Sequence, residues 1–365
     1  MAAGRRDYLG RVQVLRFFAA AAVLFAHLQH EILTRFPDEI AFKPFLLIDG
    51  GVGVDIFFVI SGFIMYHVSY KRFGEQGAVR QFLVRRFFRV APLYYFATLL
   101  MLTATVMFSK AVSISQPSFG AIAASFLFFP MTNSLDQTAP VLKLGWTLNF
   151  EAYFYVVFAL ALALNRRMGL IVMTLVLSVI VGLAQLLSSP PVPIAFWGQS
   201  LAFEFLSGVG VAILYNRGLR LNASVALMII TAGVLLLAGM RLTDLTALAP
   251  RAVYAGVPAW LIVMAVVCAP FDRRQGRLKR FFVAGGEASF ALYIIHPFGI
   301  RAGALLWARL SLPPSPWLYI TLLIIVVIMA AFAVNLLIER PLDRIIRRWL
   351  DGPPKQSSAT AVAST

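Results

Sequence analysis

Charge is scarce in this chain. Asp, Glu, Lys and Arg make up 13% of its 365 residues, about half the share of a soluble domain, while apolar residues reach 60% and mean hydropathy +0.82. Those values exclude an ordinary water-facing surface and define a polytopic membrane protein. Acids are scarcer still, 16 against 32 Lys and Arg, for a net charge of +16. The cations stand in short clusters between apolar runs, where topology and anionic headgroups account for them, so nucleic acid is not an expected partner. A lone cysteine, Cys268, excludes an intrachain disulfide. There are four histidines and no pair spaced as H-x-x-x-H, so no metal site is predicted. No internal repeat is visible, which leaves an inverted-repeat transporter without support.

What the chain has in abundance is long apolar runs. They predict an all-α polytopic membrane protein of about ten transmembrane helices, near 11–30, 51–70, 91–109, 143–164, 168–187, 194–215, 222–240, 250–268, 282–307 and 317–338, each about the 20 residues a bilayer requires. A shorter run, 119–131, is expected to be re-entrant or interfacial. With the N-terminus inside, 23 of the Lys and Arg fall in inner segments and 8 in outer ones, a bias that puts both termini in the cytoplasm. Arg5 and Arg6 before an apolar run resemble a signal peptide, but Arg16 interrupts the run and a second span follows, so the first helix is expected to be retained. One membrane domain is expected over 1–351. The tail, 352–365, is rich in Pro, Ser, Thr and Ala and is expected to be a disordered cytoplasmic extension.

Against this apolar background, ionisable residues at depth are functional candidates. Arg16 and His27 are eleven residues apart on the first helix. At 100° per residue they share one face, separated by roughly 16 Å along the axis. Each also has a plainer role, Arg16 snorkelling to the inner headgroups and His27 bonding at the interface. Asp55 and Glu151 enter their helices from the outside and count to about His27's depth. There they could orient an imidazole base, or pair with neighbouring helices to hold the bundle. His296 precedes Pro297 and either lines the same cavity or repairs the kink. His30 and His67 sit at helix ends, and Glu204 and Glu287 are weaker candidates. Arg85, Arg86 and Arg89 open the third helix together, suiting either phosphate groups or orientation and lipid contact.

Taken in order, these pieces resemble the membrane acyltransferase 3 family, in particular its ExoZ-type exopolysaccharide O-acetyltransferases, over roughly residues 8 to 350. The resemblance rests on Arg16 and His27, on Gly53-Val-Asp55-Ile-Phe-Phe-Val-Ile-Ser61-Gly62-Phe63, on Arg85-Arg86-x-x-Arg89-x-x-Pro92, on Trp146-Thr-Leu-x-x-Glu151-x-x-Phe154-Tyr155, on Leu292-Tyr293-x-x-His296-Pro297 and on Glu339-Arg340-Pro341. It implies transfer of an acyl group, usually acetyl, from cytoplasmic acetyl-CoA to an extracytoplasmic carbohydrate or lipid-linked sugar in a bacterial inner membrane. Acetyl-CoA is then a substrate, no bound cofactor is expected, and membrane lipids and polysaccharide-synthesis machinery are the expected surroundings. Carried over residue by residue, the resemblance marks Arg16 and His27 as an essential pair with Asp55 and Glu151 beside them. It marks Arg85, Arg86 and Arg89 as donor-binding, with Ser61, Tyr293 and His296 lining the cavity. The appended hydrolase-like domain of some relatives is not expected here, which leaves acceptor selectivity to the membrane domain or its partners. The competing class is a proton-coupled transporter or flippase of a polysaccharide export system, since proton relays use the same residue types.

Overall fold

Apolar residues recurring at helical spacing leave the described chain almost entirely helical in the computed structural model, which describes residues 2–35, 50–107, 117–133, 136–243, 246, 248–270, 276–311 and 315–351. The helices are α1 (Ala2–Arg35), α2 (Val52–Ser69), α3 (Ala78–Met107), α4 (Phe119–Phe126), α5 (Trp146–Leu162), α6 (Arg166–Leu186), α7 (Val192–Trp197), α8 (Ala202–Asn216), α9 (Ala223–Leu242), α10 (Val257–Cys268), α11 (Arg277–Glu287), α12 (Ser289–Arg309), α13 (Pro316–Val334) and α14 (Arg340–Asp351). The expected tail, 352–365, lies outside the described residues, as do Lys43, Lys110, Arg273, Arg274 and Lys355 of the charge bias.

Among the described residues, eight helices are long and apolar enough to cross a membrane. Two of the ten expected spans are shorter. The run 194–215 breaks at Gly198 into α7 and the 15-residue α8, and the run 250–268 is a π-helical turn, Ala252–Gly256, leading into the 12-residue α10. The expected span at 282–307 is likewise two helices, α11 and α12, parted at Ala288. A helix the length of α4 rises only about 12 Å, far short of a bilayer core of about 30 Å, so this segment does not cross.

The site is positioned by α1, whose buried residues Val12, Arg16, Ala19, Ala20, Val23, Leu24 and Leu28 recur at helical spacing. It packs against α2, α10, α11, α12 and α13. Small residues allow these approaches: a Cβ on Gly53 would strike the backbone of Ala19, and one on Gly286 the backbone of Gln13. Helices α2 and α8 cross through a reciprocal pair, where a Cβ on Gly62 would strike Phe205 O and one on Gly208 would strike Val59 O. Such small-residue crossings replace the hydrophobic drive that lipid removes. In contrast α6 and α9 leave Leu175, Val179, Leu227 and Leu235 exposed, the faces expected to meet acyl chains.

The chain between α4 and α5 folds back into the bundle. Ser118 caps α4 through Ala121 N–H, the Val141 N–H donates to Ser125 Oγ at 2.9 Å, and Tyr95 OH donates to Phe126 O at 2.6 Å. A 3₁₀ turn at Lys143–Gly145 then leads directly into α5 with Leu142 and Leu144 buried, and Tyr94 packs where a side chain at residue 145 would stand. The first turn of α5 is therefore packed against the bundle through Thr147, Leu148, Asn149 and Phe150, while Lys143 just before it stays exposed.

Candidate active site

Three polar groups stand out, and they divide the candidates differently from the sequence reading. The first is the pair His27 and His296, whose ring centres lie 5.0 Å apart. His27 is exposed, and its Nδ1 donates to Val23 O at 2.9 Å. Because a carbonyl oxygen only accepts, this bond fixes the hydrogen on Nδ1 and leaves Nε2 as the basic nitrogen. Tyr293 stands 6.0 Å from the ring of His296, donates to Leu144 O at 3.0 Å and shares a 2.8 Å hydrogen bond with Thr147 Oγ1.

The second group surrounds a cavity of about 520 Å³ toward the other end of α1. Its walls carry six arginines, Arg16, Arg72, Arg85, Arg86, Arg89 and Arg340, against three acids, Glu287, Glu339 and Asp343. Arg16 receives further support from Gln13 Oε1, at 3.2 Å from Nη1, and feels the charges of Glu151, Glu339 and Arg89. Arg86 lies over the rings of Phe82 and Tyr155, 5.6 and 5.8 Å from their centres. The Glu339-Arg340-Pro341 motif holds the rim: Asn335 Nδ2 donates to Glu339 Oε2 at 2.7 Å and to Glu287 O at 3.1 Å, while Arg340 pairs with Glu287 at 2.6 Å. The surplus of guanidinium groups, with fixed donor forks, suits a polyanion.

The third group is Asp55, Arg251 and Glu204. Arg251 grips Asp55 with both arms of its fork, Nε to Oδ1 at 2.8 Å and Nη2 to Oδ2 at 3.0 Å, and also donates to Gly51 O at 3.3 Å. Glu204 is buried beside them, close enough that Asp55 and Arg251 both act on its charge.

Two expectations are therefore corrected. Asp55 does not orient His27. The Gly53 face of α2 lies against α1, and two residues further on the helix has turned 200°, so Asp55 points away from α1 toward Arg251 and Glu204. Glu151 does not orient His27 either. Its carboxylate accepts a short hydrogen bond from Tyr155 and acts on Arg16 and Arg86. The span itself falls where it was expected, at Lys143–Leu162, and it is the direction of the side chain that a count of depth leaves open. Among the described residues no carboxylate hydrogen-bonds His27, and a backbone carbonyl does that work. Ser61 is half-buried on α2 and joins none of the three groups.

Glu151 instead links the first two groups. Thr147, Glu151 and Tyr155 recur at i, i+4 and i+8 and share one face of α5. Thr147 meets Tyr293 beside the histidines, Glu151 acts on both Tyr293 and Arg16, and Tyr155 meets Arg86 at the cavity. A polar stripe thus runs through the bundle from His27 to the arginine cavity. The sequence reading missed Arg251, counted only as a loop cation, and the bond between Tyr293 and Thr147. A buried acid at Asp55 called for a counter-ion, but nothing in the local sequence names residue 251.

A helical membrane bundle that sets two histidines at one end of a polar stripe and a polycationic cavity at the other has the parts of a membrane-embedded group-transfer enzyme. The Acyltransferase domain family matches residues 9–336, and the chain belongs to that family. It is similar to the exopolysaccharide production protein ExoZ of Rhizobium meliloti, 28% identical over 300 residues that cover 81% of this chain and 90% of the relative. It also matches acyltransferase MdmB of Streptomyces mycarofaciens, 25% identical over 92% of this chain and 91% of the relative. The match to peptidoglycan O-acetyltransferase OatA of Listeria monocytogenes is 25% identical over 58% of this chain and 35% of the relative. No solved structure gives a significant match. The protein is a membrane acyltransferase.

Proposed function

We propose that this enzyme transfers an acetyl group from cytoplasmic acetyl-CoA to a hydroxyl of an extracytoplasmic carbohydrate, such as exopolysaccharide or its lipid-linked precursor, across a bacterial inner membrane with both termini inside. The observation that carries this reading is the stripe itself. Arg16 lines a cavity suited to phosphates, His27 stands on the same helix roughly 16 Å further on, and polar side chains of α5 and α12 lie between them. A donor anchored by its phosphates at Arg85, Arg86 and Arg89 must extend its thioester along that stripe, which a long pantetheine arm allows. Neutral His27 then takes the proton of the acceptor hydroxyl as its oxygen attacks the acetyl carbonyl, and the Nδ1 bond to Val23 O keeps Nε2 free for that task. Likeness to an exopolysaccharide production protein supports a carbohydrate acceptor.

The test is acetyl transfer by purified protein in lipid nanodiscs, with radiolabelled acetyl-CoA and the host's polysaccharide fraction, scored as base-labile label on carbohydrate. The wild-type protein should transfer label, and His27→Ala should insert and bind acetyl-CoA but transfer none. Near-normal transfer by His27→Ala would remove His27 from the mechanism. No transfer by wild type, together with proton-driven sugar movement, would favour a transporter.

A further inference from the structure

His296 offers an acceptor that nothing satisfies. The side chain is fully buried, Nδ1 bonds Leu292 O at 3.2 Å, and Nε2 has no partner. As in His27, the carbonyl fixes the hydrogen on Nδ1, so His296 Nε2 keeps its lone pair. Burying such an atom without a donor is costly, and each case calls for an explanation. The two ring centres are 5.0 Å apart with the planes inclined at 59°. Two imidazoles joined by one N–H···N bond have centres about 5 Å apart, given a bond near 2.9 Å. At rest the two rings stand side by side with no hydrogen bond between them, and a proton on Nε2 of His27 would supply the donor that His296 Nε2 lacks.

We propose that His296 is a positioning residue for acyl transfer, accepting a hydrogen bond from Nε2 of His27 once that nitrogen holds the acceptor's proton. The proposal rests on the reading of His27 as the base. In the step, the acceptor O–H bond breaks and an N–H bond forms on His27. The ester C–O bond forms as the thioester C–S bond breaks, and the CoA thiolate later takes the proton back from His27. His296 gains no covalent proton; it shares the charge of the imidazolium, the part that an orienting carboxylate plays elsewhere. Glu31 lies one turn along α1 from His27, and Arg301 just over one turn along α12 from His296, and both are engaged, while among the described residues the only hydrogen bond of His27 is to Val23 O. On α12 Tyr293 is committed to Leu144 and Thr147, and on α2 Asp55 is committed to Arg251. Glu151 on α5 is bonded to Tyr155, α13 presents only Tyr319, packed on Trp307, and the charge acting on His296 is that of His27.

The test compares wild type with His296→Phe, which keeps a ring without an acceptor, and His296→Gln, which keeps an acceptor oxygen. His296→Met replaces the phenylalanine variant if that protein is not recovered folded. Diethyl pyrocarbonate modifies only unprotonated imidazole, so the pH dependence of carbethoxylation at His27, read by peptide mass mapping, reports its proton affinity without turnover. A shared proton is held more tightly, so losing the acceptor should move the half-point about one pH unit lower, about tenfold in proton affinity. His296→Gln should stay near wild type. In acetyl transfer, His296→Phe should lose about tenfold in kcat at unchanged acetyl-CoA affinity, with partial recovery in His296→Gln. Equal half-points in all three proteins, or a shifted half-point with undiminished kcat, would overturn the proposal. Absence of transfer by wild type would strike the proposed function instead, and the carbethoxylation profile would still decide whether the rings share a proton.

Discussion

Replacing Arg251 by methionine keeps most of the side chain's bulk and removes the partner of Asp55. Asp55 has no exposed side-chain surface, whereas 31% of Arg251 is exposed. Removing one member of a buried pair costs about 3–5 kcal/mol, because the remaining charge is left uncompensated. Partial exposure of the arginine places this case near the lower end, at about 3 kcal/mol. The cost is reinforced locally, since Glu204 is buried beside Asp55 and the departing guanidinium also held Gly51 O. At roughly 2 °C per kcal/mol for a chain of this size, the melting point should fall by about 6 °C. The chain supplies its own reporter: Cys268 is the single cysteine and is fully buried, so a thiol-reactive fluorophore brightens only as the bundle opens. The double variant Arg251→Met with Asp55→Asn should recover most of the loss, because it removes the stranded charge as well as its partner. The reasoning would be refuted if Arg251→Met melted within about 1 °C of wild type, or if the double variant melted lower than the single one.

Three further outcomes follow from the same geometry. Arg85→Lys with Arg89→Lys keeps the positive charge but loses the planar forks, so acetyl-CoA affinity should drop about tenfold or more in a binding titration while the protein still inserts; unchanged affinity would return the cluster to lipid contact. Glu151→Gln should weaken donor binding together with turnover, because Glu151 acts on Arg16 and Arg86, and a loss confined to kcat would instead put it back beside the base. Gly145→Val would thrust a branched side chain into Tyr94 and Pro140, so it should lower both folded yield and transfer; a fully active variant would show that α5 need not start where it does.

Much of the architecture was legible because membrane spans are written in long stretches of hydropathy, and α2, α6, α9 and α13 fall where the apolar runs place them. The interruptions were less legible. The break at Gly198, the π-helical turn before α10 and the inward dip before α5 depend on which backbone groups find partners in neighbouring helices, as Val141 N–H does at Ser125. Those partners are distant in sequence. The candidate residues were legible as types, since an arginine, a histidine or an acid in an apolar run is conspicuous. Their grouping was not, because depth gives only one coordinate. Asp55 and His27 are separated by helix rotation, and Glu151 lies in a span that hydropathy placed correctly but whose neighbours it could not name. Arg86 and Arg89 could be placed with each other because both lie on one helix, whereas their meeting with Arg16 at one cavity needed the packing of α1 against its neighbours.

The distance between Arg16 and His27 is fixed by one continuous helix, which makes α1 a ruler for the donor. In the proposed mechanism a donor that carries its phosphate next to its acyl group, such as acetyl phosphate, cannot touch both marks, whatever its reactivity. The ruler is also graduated in turns. One residue inserted between positions 16 and 27 would swing His27 by 100° away from His296, whereas seven residues would return it to nearly the same bearing but about 10 Å too far along. Neither lengthening leaves both marks in place, so the span between these two residues admits changes of side chain far more readily than changes of length.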